Sequence, residues 1–244
     1  MKAASSSRPL GSYRIFADHH HSVDSIVTLF SLAQLLATDA SVIVDVGCGR
    51  GALIDPDIGE RRLHDMRAPG RTVIGIDVDP IGAENPIIDE FRAIENDRWP
   101  FDDGTVDLAL CDWVLEHIPD PAAFVGELHR VLRPGGAFVA RTVSRGSLLS
   151  KTARLVPNRR HSQVISRLQP KREEQDVFPT VYRMNTARDL AKVFDAGFDW
   201  AVSFHPGLDQ YAKPWPRLAR TLTVVEPRIP LRNQLSLILT ARKR

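Results

Sequence analysis

Hydrophobic and polar positions alternate along this chain in two different rhythms, and the change of rhythm divides it into elements. In "SVDSIVTLFSLAQLLAT" apolar residues fall at 23, 26, 27, 30, 33 and 36, the spacing of one helical face, which predicts an N-terminal helix over 22–37 with Ser22 as its N-cap. Four short apolar, β-branched runs follow: "SVIVDVG" (41–47), "RTVIGIDV" (71–78), "TVDLALCD" (105–112) and "GAFVARTV" (136–143). Each is bounded by Gly, Pro or Asp and is almost continuously apolar, which predicts strands buried on both faces of a parallel sheet. Between the last two, "DPAAFVGELHRVLRPGG" places Phe124, Leu128, Val131 and Leu132 on one face, with Asp120 as N-cap, Pro121 in the first turn, and Pro134 and Gly135 as the stop. Strand, helix and strand in this order predict a doubly wound α/β fold.

After Val143 the pattern lapses through 144–185, read as an insertion with helical pieces near 147–156 and 162–168. It resumes with a helix at about 186–195, a turn at Gly197, a strand, and a last strand in "NQLSLILTARK". The 244 residues therefore read as one domain, 43% hydrophobic and 25% charged, ordinary globular values. No apolar run approaches the roughly 20 residues of a membrane span, and the first residues lack the apolar centre of a secretory signal, so the expected location is the cytoplasm. Cys48 and Cys111 are too few for a disulfide framework and are expected to be reduced small fillers on neighbouring strands, placed close together. Three histidines in a row in "DHHH" (18–21) cannot all reach one ion, and no metal site is expected.

Charge changes the picture. Residues 141–172 hold nine Lys or Arg and no acid, leaving 23 basic against 30 acidic residues elsewhere. A basic segment on an acidic body calls for an anionic partner. That segment contains no aromatic residue on which bases could stack, which argues against nucleic acid. "SLLSKTARLVPNRR" and "WPRLARTLTVV" join basic to apolar residues as interfacial helices do, which leaves peripheral membrane contact open.

The candidate chemistry begins at "VDVGCGRG". A strand ending at Asp45 and followed by Gly47, Gly49 and Gly51 lets the backbone turn sharply and approach a ligand. The sixth position of a dinucleotide fingerprint is here Ala52, which some dinucleotide sites accept. Asp77 ends the next strand, in "GIDVDP", where a carboxylate can accept both hydroxyls of a ribose. These features define a nucleoside site without separating NAD from another adenosine compound.

In order and spacing, "VDVGCGRG", "GIDVDP", "ENDRWPFDDGTVDLALCDWVLEHIPDP" and "HRVLRPGGAFVAR" resemble the class I S-adenosylmethionine (SAM)-dependent methyltransferases of the small-molecule type, over about residues 40–143. The resemblance implies a Rossmann-like, seven-stranded, mostly parallel sheet with an antiparallel last strand. It implies that SAM is the cofactor, with the Gly47, Cys48, Gly49 and Gly51 loop under its methionine part, Asp45 near its amino group, and Asp77 and Val78 at the ribose. Glu95 and Asn96, before "WPF", would meet the adenine, with Asp97 as a competitor because the usual residue is aspartate. Asp112, Trp113 and His117 would border the sulfonium. The expected reaction is methyl transfer to an anionic small or medium-sized acceptor, free or linked to a glycan or lipid, at oxygen in preference to nitrogen. His117 is the first candidate base, since imidazole titrates near neutrality, and Asp112 the second. The 144–185 insertion and the N-terminal helix are expected to cover the acceptor. Rival readings are an NAD-dependent oxidoreductase, a SAM-binding protein without turnover, and a methyltransferase directed at RNA or membrane lipid. One departure stands out: "ALIDPDIGERRLHDMRAPG" follows the glycine loop where a regular helix is usual, yet contains Pro56, Gly59 and many charges.

Overall fold

The computed structural model describes residues 24–38, 41–51, 63–147, 150–151, 179–208, 212 and 215–244. Helix α1 spans Ser25–Leu36, with β1 at Val42–Val46, β2 at Thr72–Asp77, β3 at Glu90–Ala93 and β4 at Val106–Asp112. Helix α2 spans Pro121–Val131 and runs directly into β5 (Leu132–Val143). Then come α3 (Ala187–Phe194), β6 (Phe198–His205), α4 (Pro216–Val225) and β7 (Ser236–Lys243).

The seven strands form one sheet in the order β3-β2-β1-β4-β5-β7-β6. Strands β1 to β5 are parallel, and β7 inserts antiparallel between β5 and β6. The expected architecture, including the antiparallel last strand, is the one observed. Both faces are covered, as the continuous apolarity of the strands requires. Leu29, Leu32 and Ala33 of α1 pack on Ile43, Leu108, Val139 and Ile238. On the other face Phe124 and Leu128 of α2 and Leu190 and Phe194 of α3 pack on Val44, Ala109, Phe138 and Leu239.

Local expectations needed adjustment at their edges. The N-cap of α1 is Asp24, whose carboxylate accepts the Ile26 and Val27 N–H groups; Ser22 lies outside the described residues. Asp120 caps α2 and Pro121 opens it, as the sequence predicts. The helix stops at Leu132, before Pro134 and Gly135, because Leu132 already pairs with Val106, and a register shift between Val106 and Leu108 takes up the intervening turn. β3 escaped the periodicity reading because "EFRA" is short, polar and exposed or half-buried throughout. The helical pieces near 152–156 and 162–168, the stretch 52–62 after the glycine loop, and "DHHH" lie outside the described residues.

The "WPF" loop between β3 and β4 is held by α2. The Trp99 N–H donates to Glu127 at 2.8 Å, and Arg130 donates to the carbonyls of Trp99 and Phe101 at 2.9 and 2.7 Å. Its Trp99 and Phe101 close the apolar face beside β1 and β2.

Candidate active site

The carboxyl ends of β1, β2 and β4 meet at one edge of the sheet, and each ends in aspartate: Asp45 (one residue before the end of β1), Asp77 and Asp112. In a doubly wound sheet this edge is where the chain reverses its winding and ligands bind. Gly47, Gly49 and Gly51 all have positive φ, +69°, +48° and +68°. Two of them are glycine for different reasons. A Cβ on Gly47 would fall 2.4 Å from Val114 Cγ2, so this glycine serves the packing of the β4 loop. A Cβ on Gly49 would meet nothing within 4 Å, so there the backbone lies open to a ligand.

The loop is tied to β2. The Gly47 and Cys48 N–H groups donate to the Ile76 carbonyl, and the Gly49 N–H donates to Asp77 Oδ2 at 2.9 Å. Asp77 Oδ1 accepts the Asp79 N–H at 3.0 Å. Each oxygen of a carboxylate has a second lone pair, so Asp77 can organise the loop and still receive a sugar hydroxyl. The Cys48 sulfur turns away, filling the space that a Cβ at Gly75 or Gly82 would need (2.7 and 3.1 Å). Burial, aided by Asp45 and Asp77, pushes its thiol pKa up, and burial raises that of Cys111 likewise; both are free thiols and neither is a thiolate nucleophile.

Asp45 is pushed up to about 7, first by burial and then by the charges of Asp112 and Asp77. Asp112 is gripped by Arg141, whose Nε and Nη2 donate to its two oxygens at 2.6 and 2.7 Å. That arginine is 2% exposed. Its Nη1 donates to Ser25 Oγ of α1 at 3.0 Å, and its guanidinium lies 4.8 Å over the Trp113 ring. Trp113 has φ +57°, a backbone region costly for a bulky side chain, and its N–H donates to the Arg141 carbonyl at 3.0 Å. One residue thus holds both positions after β4. Sequence reasoning counted Arg141 only as a charge of the basic segment; an arginine inside the apolar run "GAFVARTV" was the available signal that it needs a buried anion.

His117 Nδ1 lies 3.0 Å from the Pro179 carbonyl. A carbonyl only accepts, so Nδ1 carries a proton and is the donor of that bond. The neighbouring Glu116 is buried; its carboxylate accepts Thr142 Oγ1 at 2.8 Å, while its backbone carbonyl accepts the Val181 and Tyr182 N–H groups. Burial pushes the Glu116 carboxyl up to about 7. Asn185 donates to Thr142 Oγ1 and to the Val143 carbonyl. The end of the insertion, from 179 to 185, is therefore bonded onto the 116–117 turn. Glu116 reads from sequence as a residue of hydrogen bonding and loop structure; Thr142 and Asn185 carry no such signal, because their roles depend on partners more than 25 residues away.

Glu95, Asn96, Asp97 and Arg98 form a tight turn with φ +52° at Asn96 and +58° at Asp97, closed by the Arg98 N–H on the Glu95 carbonyl at 3.0 Å. Ala93 is the register partner of Asp77, so Glu95 lies two residues further along the same edge of the sheet, and Asn96 and Asp97 form the turn's tip. A groove of about 1020 Å³, floored by Trp99 and Phe101, opens beside this turn and shares Glu95 and Asn96 with it. Among the described residues no group of three His, Cys, Asp or Glu is arranged to hold a metal ion.

A doubly wound 3-2-1-4-5-7-6 sheet with its one antiparallel strand, a glycine loop after β1 and an acid ending β2 defines the class I SAM-dependent methyltransferase domain. Residues 44–140 match the family described as a methyltransferase domain. It is 30% identical over 112 residues to a ubiquinone biosynthesis O-methyltransferase of Pseudomonas paraeruginosa, covering 42% of this chain and 44% of that one. It is 35% identical over 108 residues to a probable SAM-dependent methyltransferase of Mycolicibacterium smegmatis, covering 42% and 38%. The match thus spans less than half the length of these relatives. The fold as a whole is shared with a SAM-dependent methyltransferase from Aquifex aeolicus, at a TM-score of 0.51 and 14% identity over 96% of this chain and 98% of the other.

Proposed function

We propose that the chain transfers a methyl group from SAM to an oxygen of an anionic small molecule, free or lipid-linked. The observation that carries the cofactor half of this reading is the gathering of Asp45, Asp77 and Asp112 around an open glycine loop. Burial first, and then the charges of Asp112 and Asp77, raise the Asp45 pKa, and a cation entering beside these carboxylates is favoured. SAM brings two cations, the α-ammonium and the sulfonium. A dinucleotide would bring the two negative charges of its pyrophosphate to the same loop, facing the same carboxylates, which disfavours the NAD reading.

When bound, SAM supplies a methyl group already activated on sulfur, which leaves behind a neutral thioether. The protein's work is to hold the acceptor in line and exclude water. Asp77, with Val78 beside it, holds the ribose, Glu95 and the Asn96 backbone meet the adenine, and Asp45 receives the α-ammonium. Glu95 is favoured over Asp97 by its register next to Asp77. Asp112 and Trp113, held by Arg141, border the sulfonium. Both oxygens of Asp112 are engaged by the Arg141 guanidinium, so proton removal is assigned to His117, whose Nδ1 lies 3.0 Å from the Pro179 carbonyl. The acceptor's O–H proton passes to Nε2 as the O–C bond forms. The ubiquinone biosynthesis relative supports oxygen as the acceptor atom.

Calorimetric titration with SAM and its demethylated product, alongside NAD and an Asp77→Ala variant, tests the cofactor assignment. Micromolar binding of SAM that the variant loses is expected; binding of NAD in its place would overturn it. Phenolic and carboxylated acceptors, assayed with wild type and His117→Ala, test the second half.

A further inference from the structure

The insertion between β6 and β7 contains a helix that is not buried against the body of the protein. No residue of α4 is buried, and its N-cap, Trp215, makes no side-chain capping bond. A helix of ten residues is marginal in water by itself, because too few hydrogen bonds follow the cost of nucleation. Something must cover one of its faces.

The sequence of the helix indicates which face. Trp215, Leu218, Leu222 and Val225 recur at i, i+3, i+7 and i+10 and form a single apolar stripe. Trp215, Leu218 and Val225 are 47%, 48% and 48% exposed, and Leu231 in the following turn is 45% exposed. Arg217, Arg220, Arg228 and Arg232 of the same segment are exposed. From residue 210 to the end the sequence has one acid, Glu226. It is buried, with its carboxylate accepting the N–H groups of Gly207, Leu208 and Leu235 at 2.8, 2.6 and 3.0 Å, so it anchors the insertion to the sheet.

The charge decides the occupant. A second copy of the helix, or the 141–172 segment of this chain, would bring arginine against arginine. A nucleic acid would satisfy the arginines and leave the apolar stripe, with its single aromatic, unused. An anionic bilayer satisfies both: apolar side chains enter the acyl boundary, tryptophan favours the interface, and arginines reach the headgroups. We propose that α4 and the turns up to Arg232 form a docking surface for an anionic lipid membrane. Among the described residues no helix is long and apolar enough to cross a membrane, so this contact is peripheral. The surface joins the sheet where β6 ends at His205 and β7 begins at Ser236, register partners of each other, and Ser236 also pairs with Val143 at the carboxyl end of β5. Docking therefore turns the catalytic edge toward the lipid, where a lipid-linked acceptor of the proposed reaction would be found.

The test is vesicle flotation of the full chain with phosphatidylcholine alone and with phosphatidylcholine containing about a third phosphatidylglycerol, at low and high salt. Two paired variants, Arg217→Glu with Arg220→Glu and Leu218→Glu with Val225→Glu, are checked for native circular dichroism and unchanged affinity for demethylated SAM. Wild type is expected to float with anionic vesicles only, and less at high salt. The loss of the two arginines is expected to cost about 25-fold in partitioning, at about fivefold per charge, and the two glutamates introduced lower it further. The leucine and valine pair is expected to abolish flotation, and Trp215→Phe to remove a vesicle-induced blue shift of tryptophan emission. Absence of flotation by wild type, or flotation that both paired variants retain, would overturn the proposal. So would binding of an RNA oligonucleotide, lost with the arginines, in place of vesicle binding.

Discussion

Replacing Arg141 by methionine keeps the aliphatic stem in its slot and removes the guanidinium, which tests whether this buried cation organises the end of β4. Three losses follow. The two charge-assisted bonds to Asp112 disappear and leave that carboxylate without its cation. In a fully dry site, stranding an ion costs about 3–5 kcal/mol; the Asp112 side chain is 25% exposed, so water recovers part and about 2 kcal/mol remains. The cation over the Trp113 ring adds about 0.5–1 kcal/mol. The bond to Ser25 Oγ has a hydroxyl substitute in Ser236, 3.1 Å from the same oxygen, and costs little. The total is about 3 kcal/mol, which for a chain of this length lowers Tm by about 6 °C. Urea denaturation of wild type, Arg141→Met, Asp112→Asn and the double variant would measure it. The coupling energy of that cycle is expected to exceed about 1.5 kcal/mol, since the asparagine no longer demands a cation. A single-variant loss below about 1 kcal/mol, or additive effects, would refute the reasoning and return Arg141 to the status of a surface charge.

Gly49→Ala separates a ligand cradle from a simple turn: stability should fall by about 1–2 kcal/mol from the left-handed backbone, while SAM affinity falls at least about tenfold; unchanged affinity would mean no ligand crosses that backbone. Asp77→Ala should lose SAM binding and also loosen the loop by about 1–2 kcal/mol, because the Gly49 and Asp79 N–H groups lose their acceptor, as hydrogen exchange at those amides would report. SAM affinity should rise with pH through about 7, by up to about tenfold per unit below it, because the cation binds the Asp45 carboxylate; Asp45→Asn should flatten that slope in calorimetry. In the ligand-free protein the sign is opposite. Asp45 and Glu116 have folded pKa values near 7, above the 3.8 and 4.5 of unfolded chains, so the folded state binds more protons between about pH 4 and 7 and denaturation should show these two groups lowering stability as pH rises through that window. His117→Ala should cut kcat by about 10²–10⁴ with SAM affinity changed less than about threefold; retained turnover on the true acceptor would remove the base assignment.

The parts of this molecule that its sequence determined are those set by neighbours within a few positions. The apolar runs of β1, β2 and β4, the Asp120–Pro121 start of α2, and the positive-φ glycines after Asp45 all follow from local sterics, capping and periodicity, and they placed the fold and its glycine loop. Two edges resisted for equally local reasons: β3 is too short and polar to show a rhythm, and Asp24 competed with Ser22 to cap α1. Tertiary structure alone decided the rest. Arg141 is one more positive charge in "VARTV" until Asp112, 29 positions earlier, comes within 2.6 Å of it. Glu116 acquires its shifted pKa only where Thr142 and the 181–182 backbone enclose it. The alternation of polar and apolar residues records which side of an element leaves water, but not which distant group awaits a charge there, and a buried ionic side chain owes its state to that group.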